Sequence, residues 1–156
     1  TVLKEGSGWS NLAIGWLIVI PMALSLVAMI YTGNSSARTG EKRWHGAIPM
    51  FLGAAGMGIG TFIPDPQVNL LFVCLTAVGV YSAFGVWWSY PTTFLSGTAA
   101  AGAVGLINSF GNVGGYVGPY LTGFVKEQTG SFVWAYLVLA CSLAAAGVLM
   151  LTLKKR

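Results

Sequence analysis

The chain has 156 residues, of which 55% are hydrophobic and only 8% charged, with 22 glycines and a net charge of +4. A soluble domain carries about 25% charged residues because its surface faces water, and eight basic plus four acidic side chains cannot cover such a surface. The fold class is all-α integral membrane, and at about 20 residues per helical span the length allows about five transmembrane helices. The positive charge does not point to nucleic acid, because the basic residues collect at the ends of apolar segments rather than beside aromatics on one face.

Residues 1–11 read as an extracytoplasmic loop with Lys4, Glu5 and two glycines, and Trp9 suits an interfacial anchor. Thr1-Val2-Leu3 looks like the tail of a preceding apolar helix, and with no initiating Met the chain is expected to be a fragment. The first complete span covers roughly 12–32, with Pro21 expected to kink it. Residues 33–43, GNSSARTGEKR, form a charge cluster between two apolar stretches. Arg38, Lys42 and Arg43 lie within the 15–20 residues of the span ends where basic side chains set orientation, so this loop is expected on the cytoplasmic side. The second span covers roughly 45–63 and is rich in small residues that let helices approach closely. Ile63-Pro64-Asp65-Pro66-Gln67 is a turn by its prolines.

No charge occurs from Val68 to Val125, a length suited to two helices. The break belongs near Ser96-Gly97, which gives a third span of roughly 69–94 and a fourth of roughly 99–125. Residues 126–132 are a loop, the fifth span covers roughly 133–153, and Lys154, Lys155 and Arg156 end the chain. With the first loop outside, the inside segments hold Arg38, Lys42, Arg43, Lys154, Lys155 and Arg156 against Glu41. The outside holds Lys4 and Lys126 against Glu5, Asp65 and Glu127. The bias places the C-terminus in the cytoplasm.

In these uncharged spans, chemistry falls to neutral polar groups and aromatics. Tyr81, Gly85, Trp88 and Thr92 lie at i, i+4, i+7 and i+11, with Ser82 and Ser89 beside them, so one helix face carries hydroxyls and an indole. It reads either as one wall of a water-filled substrate cavity or, for Trp87, Trp88 and Tyr90, as an aromatic belt near the inner interface. In the fourth span Asn108 and Asn112 share a face, with Tyr116 one turn further. An amide left unpaired in hydrocarbon is costly, so this face meets water or a partner helix. Gly111 and Gly115, and Gly114 and Gly118, allow close packing, and Gly118-Pro119 is expected to break or bend the helix. His45 reads as a solvated interfacial histidine, and Cys74 and Cys141 as buried thiols acting as small hydrophobes. No nucleophile–base set, metal-ligand cluster or phosphate-binding glycine loop is present, so no catalytic residue, metal or cofactor is expected and the chain is not read as an enzyme.

The segment from Gly33 to Arg43 resembles the G-x-x-x-D-R-x-G-x-R/K-R/K loop of major facilitator superfamily transporters, with Gly33, Arg38, Gly40, Lys42 and Arg43 at the motif positions. The usual Asp is Ala37 here, which removes from this half a carboxylate thought to latch the cytoplasmic side. Trp88-Ser89-Tyr90-Pro91-Thr92, with the run from Gly105 to Pro119, is similar to the tenth and eleventh helices of the anion:cation symporter family. Its members carry tartrate, phthalate, hydroxyphenylacetate and related carboxylates. The resemblance implies a twelve-helix fold of which residues 12–156 are the C-terminal six-helix bundle lacking most of its first helix. It also implies that Trp88 and Asn108 match substrate-contacting positions, with Ser89, Thr92, Asn112 and Tyr81 as further candidates.

That reading makes the protein a secondary active transporter fragment for proton-coupled symport of an organic anion, working by alternating access. Its partners are a small organic acid, H+, the N-terminal half of the same transporter and the lipid of a bacterial inner membrane, not nucleic acid. Because these spans lack an acid or an Arg, the proton-carrying group and the substrate's counter-cation are expected in the N-terminal half. The alternative is a membrane scaffold or assembly subunit that packs through glycine-rich faces.

Overall fold

The computed structural model describes residues 8 and 10–153; the Lys4–Glu5 pair, the Trp9 anchor and the basic terminus at 154–156 lie outside the described residues. Five α-helices follow one another: α1 Asn11–Thr39, α2 Arg43–Gly60, α3 Pro66–Ser89, α4 Gly97–Thr129 and α5 Val133–Thr152. A 3-10 turn at Pro91–Thr93 joins α3 to α4. The all-helical expectation stands. A chain in hydrocarbon must satisfy its backbone groups within each segment, and the helix does so. Among the described residues three segments, Asn11–Thr39, Pro66–Thr93 and Val133–Thr152, are long and apolar enough to cross a membrane. Glycine and polar residues dilute α2 and α4 below that apolarity.

The helix ends follow local chemistry. Ser10 caps α1 by accepting from the Ala13 amide at 3.2 Å. Asp65 caps α3 by accepting from the Gln67 and Val68 amides, both at 2.9 Å, with Pro66 at the first helical position where no amide hydrogen is needed. Two expected loops are corrected. The basic segment from 33 onward is mostly helical: α1 runs on to Thr39, whose hydroxyl donates to the Ser35 carbonyl at 2.9 Å, and Gly40 ends it at φ +67. The connecting loop is therefore only residues 40–42. In the third span the α-helix ends at Ser89 and a 3-10 turn at Pro91–Thr93 completes the apolar segment Pro66–Thr93. The fourth helix begins at Gly97, just before the expected 99, and runs through Gly118-Pro119 to Thr129, into the 126–132 segment expected as a loop, without a break.

Helix α3 is the centre of the bundle, packed on one side by α1 and on another by α2, which α5 flanks. Small residues make the α2–α3 crossing close. A Cβ placed on Gly79 would stand 2.4 Å from the Gly53 nitrogen and 2.5 Å from the Pro49 carbonyl oxygen, so backbone meets backbone there. Nearer the 40–42 loop, Ala47, Val86 and Met150 form a buried cluster on which Phe51, Trp87 and Tyr90 pack. At the far end the buried Asn69 amide donates to the Gly60 and Ile63 carbonyls at 2.6 and 3.2 Å, holding the Pro64-Asp65-Pro66 turn to the end of α2.

Helix α4 is different. None of its residues is buried, and it touches little beyond α5 and the 3-10 turn. Lys126 Nζ lies 4.1 Å above the Phe132 ring at the α4–α5 corner. Its 33 residues extend about 50 Å at 1.5 Å per residue, well beyond a hydrocarbon core of about 30 Å. The two cysteines are also placed unlike the expectation: Cys74 is only half-buried and Cys141 is exposed on the outer face of α5. Both are free thiols in apolar helices.

Candidate functional site

At the 40–42 loop the sequence sets one acid immediately before two bases and the first turn of α2. The Glu41 carboxylate accepts from the amides of Arg43 at 2.9 Å, Trp44 at 2.9 Å and His45 at 3.4 Å, which are donors left free at a helix start. His45 is half-buried rather than simply solvated. Its Nδ1 lies 3.2 Å from Glu41 Oε2 and its Nε2 2.9 Å from Ser35 Oγ. Because a carboxylate only accepts, Nδ1 is the donor to Glu41.

The two bases reach across the bundle. Lys42 Nζ donates to the Ser89 carbonyl at 2.9 Å and to its hydroxyl at 3.0 Å, at the last residue of α3. Arg43 Nη2 donates to the Leu151 carbonyl near the end of α5. Each cation thus sits on carbonyls that a helix C-terminus leaves unpaired, where the helix dipole favours positive charge. Of the other motif positions, Gly33 is inside α1, while Arg38 and Ala37 are exposed. Ser36 Oγ donates to the Glu41 carbonyl at 2.9 Å, so the loop is held without a carboxylate at position 37.

Partial burial acts to raise the Glu41 carboxyl. The Trp44, His45 and Arg43 amides and the His45 ring outweigh it and hold the group below its usual 4.5. A depressed carboxyl stabilises the fold above its ordinary pKa, and that contribution is lost as pH falls through the lowered value. Glu41→Ala should cost about 1 kcal/mol locally, roughly a fivefold rise in opening of the first turn of α2 at pH 7. Hydrogen exchange of the segment 43–46 in the full-length protein reads this directly. Unchanged protection in the variant would rule out the cap.

The residues singled out for substrate contact are spread over two helices. Trp88 is half-buried, edge-on to Phe84 with ring centroids 5.8 Å apart. Ser89 is held by Lys42, and its hydroxyl donates to the Val86 carbonyl at 2.8 Å. Thr92, in the 3-10 turn, donates to the Ser89 carbonyl at 3.0 Å. Tyr81 is exposed and lines a cavity of about 400 Å³ with Thr76 and Tyr136, between α2, α3 and α5. Asn108 and Asn112 are exposed on α4 and their amides make no hydrogen bond among the described residues. Neither the Tyr81 cavity nor the one beside the 40–42 loop is lined by Trp88 or Asn108.

A second cavity, about 450 Å³, opens beside the 40–42 loop and includes Lys42, Arg43, Trp87 and Ile107. Trp87, read as a belt residue, packs half-buried against the Ala47–Val86–Met150 cluster. Sequence reasoning missed the double role of the loop. It read Lys42 and Arg43 as topological charges and loop-motif positions and Glu41 as a charge alone, although an acid directly before a helix start is itself a capping signal.

A family model described as Major Facilitator Superfamily matches residues 1–156. The chain belongs to the Major Facilitator Superfamily. Two superfamily relatives from Agrobacterium vitis, each named "Putative tartrate transporter", are 34% and 36% identical to it. Their matches cover 99% and 95% of this chain but 35% and 33% of the relatives. A quinolone resistance transporter of Acinetobacter baumannii is 34% identical over 84% of this chain and 30% of its own length. The chain thus spans about a third of the length of these relatives. No solved structure matches it. Its superfamily and its long apolar helices make it part of an integral membrane protein.

Proposed function

We propose that the full-length protein is a secondary transporter of small organic acids, and that this chain supplies most of its C-terminal half. In this reading α1 to α5 are the eighth to twelfth spans, the 40–42 loop and the C-terminus face the cytoplasm, and the membrane is a bacterial inner membrane. The observation that carries the proposal is α4. The exposed surface of α1 is aliphatic and aromatic, through Leu12, Trp16, Val19 and Val27, and suits lipid. The exposed surface of α4 also carries large apolar residues such as Leu106, Phe110 and Phe124, but it adds Asn108 and Asn112, and a Cβ on Gly111, Gly114, Gly115 or Gly118 would meet nothing within 4 Å. Two free amides do not face hydrocarbon. They belong against a water-filled path whose other wall is the remaining two-thirds of the protein.

Amides and an indole orient a carboxylate without neutralising it. Trp88 and Asn108 are the proposed contacts, with Asn112, Thr92, Tyr81 and Ser89 around them. The charge-compensating cation and the proton-carrying group then lie in the N-terminal half, since α3 and α4 carry no charge from Val68 to Val125. No observation favours the scaffold.

Full-length protein in proteoliposomes should accumulate labelled tartrate under an inward proton gradient, and a protonophore should remove most of that accumulation. Uptake of tartrate that ignores the gradient would overturn the proton coupling alone. Absence of uptake for any carboxylate would overturn the transport reading.

A further inference from the structure

The cavity beside the 40–42 loop has a charged end and an apolar end. Lys42 and Arg43 stand at one, while Phe94, Ile107 and Leu153 line the other. Glu41 also lines the cavity and is the only acid among its lining residues. The Glu41 carboxylate is taken up by three amides and an imidazole, and the Glu41–His45 contact is the single acid–base pair among the described residues. Arg43 spends Nη2 on the Leu151 carbonyl, and its Nε is buried with no hydrogen-bond partner. Nε is sealed off, so the donors left for an anionic oxygen are the remaining hydrogens of Lys42 Nζ and of the Arg43 terminal nitrogens.

We propose that this cavity binds an anionic phospholipid, with the headgroup phosphate on Arg43 and Lys42 and an acyl chain along Phe94, Ile107 and Leu153. Basic pockets between spans at the cytoplasmic surface suit such headgroups. Tyr90, which also lines the cavity, is a residue type that settles at the headgroup level. A zwitterionic headgroup is disfavoured, because its ammonium would need an acceptor and both Glu41 oxygens are engaged. A free phosphate ion would leave the apolar end empty. The choice of the cytoplasmic leaflet rests on the proposed orientation; the binding itself does not depend on which solute is carried.

The test uses the full-length protein in detergent with dioctanoyl phosphatidylglycerol, dioctanoyl phosphatidylcholine, inorganic phosphate and tartrate as separate probes, read by melting temperature. Phosphatidylglycerol should raise it by several degrees at concentrations where phosphatidylcholine and phosphate have little effect. Arg43→Gln should weaken that response by about tenfold in apparent affinity. Because Arg43 also holds Leu151, Ile107→Trp serves as a second variant that fills the cavity from its apolar wall and leaves both loop bonds intact. Ile107→Trp should lose the phosphatidylglycerol response to a similar degree. Equal stabilisation by phosphatidylcholine or by phosphate alone would overturn the proposal, as would a full response in Ile107→Trp. A protein that takes up carboxylate but ignores phosphatidylglycerol would remove the lipid site and leave the transport reading standing.

Discussion

Replacing Gly79 by alanine in the full-length protein is expected to lower its melting temperature by several degrees and to reduce the yield of monodisperse protein. The added methyl group would sit 2.4 Å from the Gly53 nitrogen and 2.5 Å from the Gly53 Cα and the Pro49 oxygen. All three are backbone atoms, so no side-chain rotation relieves the clash and α2 must move off α3. Overpacking of this kind destabilises by about 1–3 kcal/mol, against a gain from alanine's better helix propensity of about 1 kcal/mol or less. Gly58→Ala is the internal comparison. Its methyl group would lie 3.7 Å from the Ala140 Cβ, an ordinary contact, so stability should be unchanged or slightly higher. Equal melting temperatures for the two variants would mean that α2 and α3 do not cross at Gly53 and Gly79.

The second large effect is on transport. Trp88→Ala and Asn108→Ala in the full-length protein are expected to abolish carboxylate uptake while membrane expression stays near normal. The fold asks little of either side chain. Trp88 is half-buried against Phe84, and Asn108 is exposed with no hydrogen bond among the described residues. A hydrogen bond to a charged group contributes about 1.5–3 kcal/mol, which is about 10- to 150-fold in affinity. Asn69→Ala makes the contrast. That amide is buried and serves the Gly60 and Ile63 carbonyls, so its loss should lower the amount of folded protein rather than the uptake per folded molecule. Normal uptake in both the Trp88 and Asn108 variants would remove the site assignment.

Five helices and the break at Ser96-Gly97 were legible because long apolar runs and a Ser-Gly pair carry their own signal. The end of α1 was not. Hydropathy falls at Gly33, but hydropathy marks where lipid ends, and α1 continues through seven polar or small residues until Gly40 turns the backbone. Pro119 was expected to break or bend the helix, and it does not break it. A proline removes one hydrogen bond, and in α4 the helix continues past it to Thr129. The capping by Glu41 was readable in principle from its place before α2. The grips of Lys42 on Ser89 and of Arg43 on Leu151 were not, since they join positions 47 and 108 residues apart. For the candidate site, sequence singled out polar groups on α3 and α4 but could not set the distance between them, and that distance depends on what covers α4.

The most direct measurement is substrate protection at position 108. Asn108→Cys would be placed in a full-length protein whose native cysteines, Cys74 and Cys141 among them, are replaced, and then labelled with a membrane-impermeant maleimide. If α4 lines a water-filled carboxylate path, the thiol reacts, and tartrate at about ten times its dissociation constant slows the reaction about tenfold. A thiol that stays unreactive, or that reacts at the same rate whatever carboxylate is present, would contradict the account.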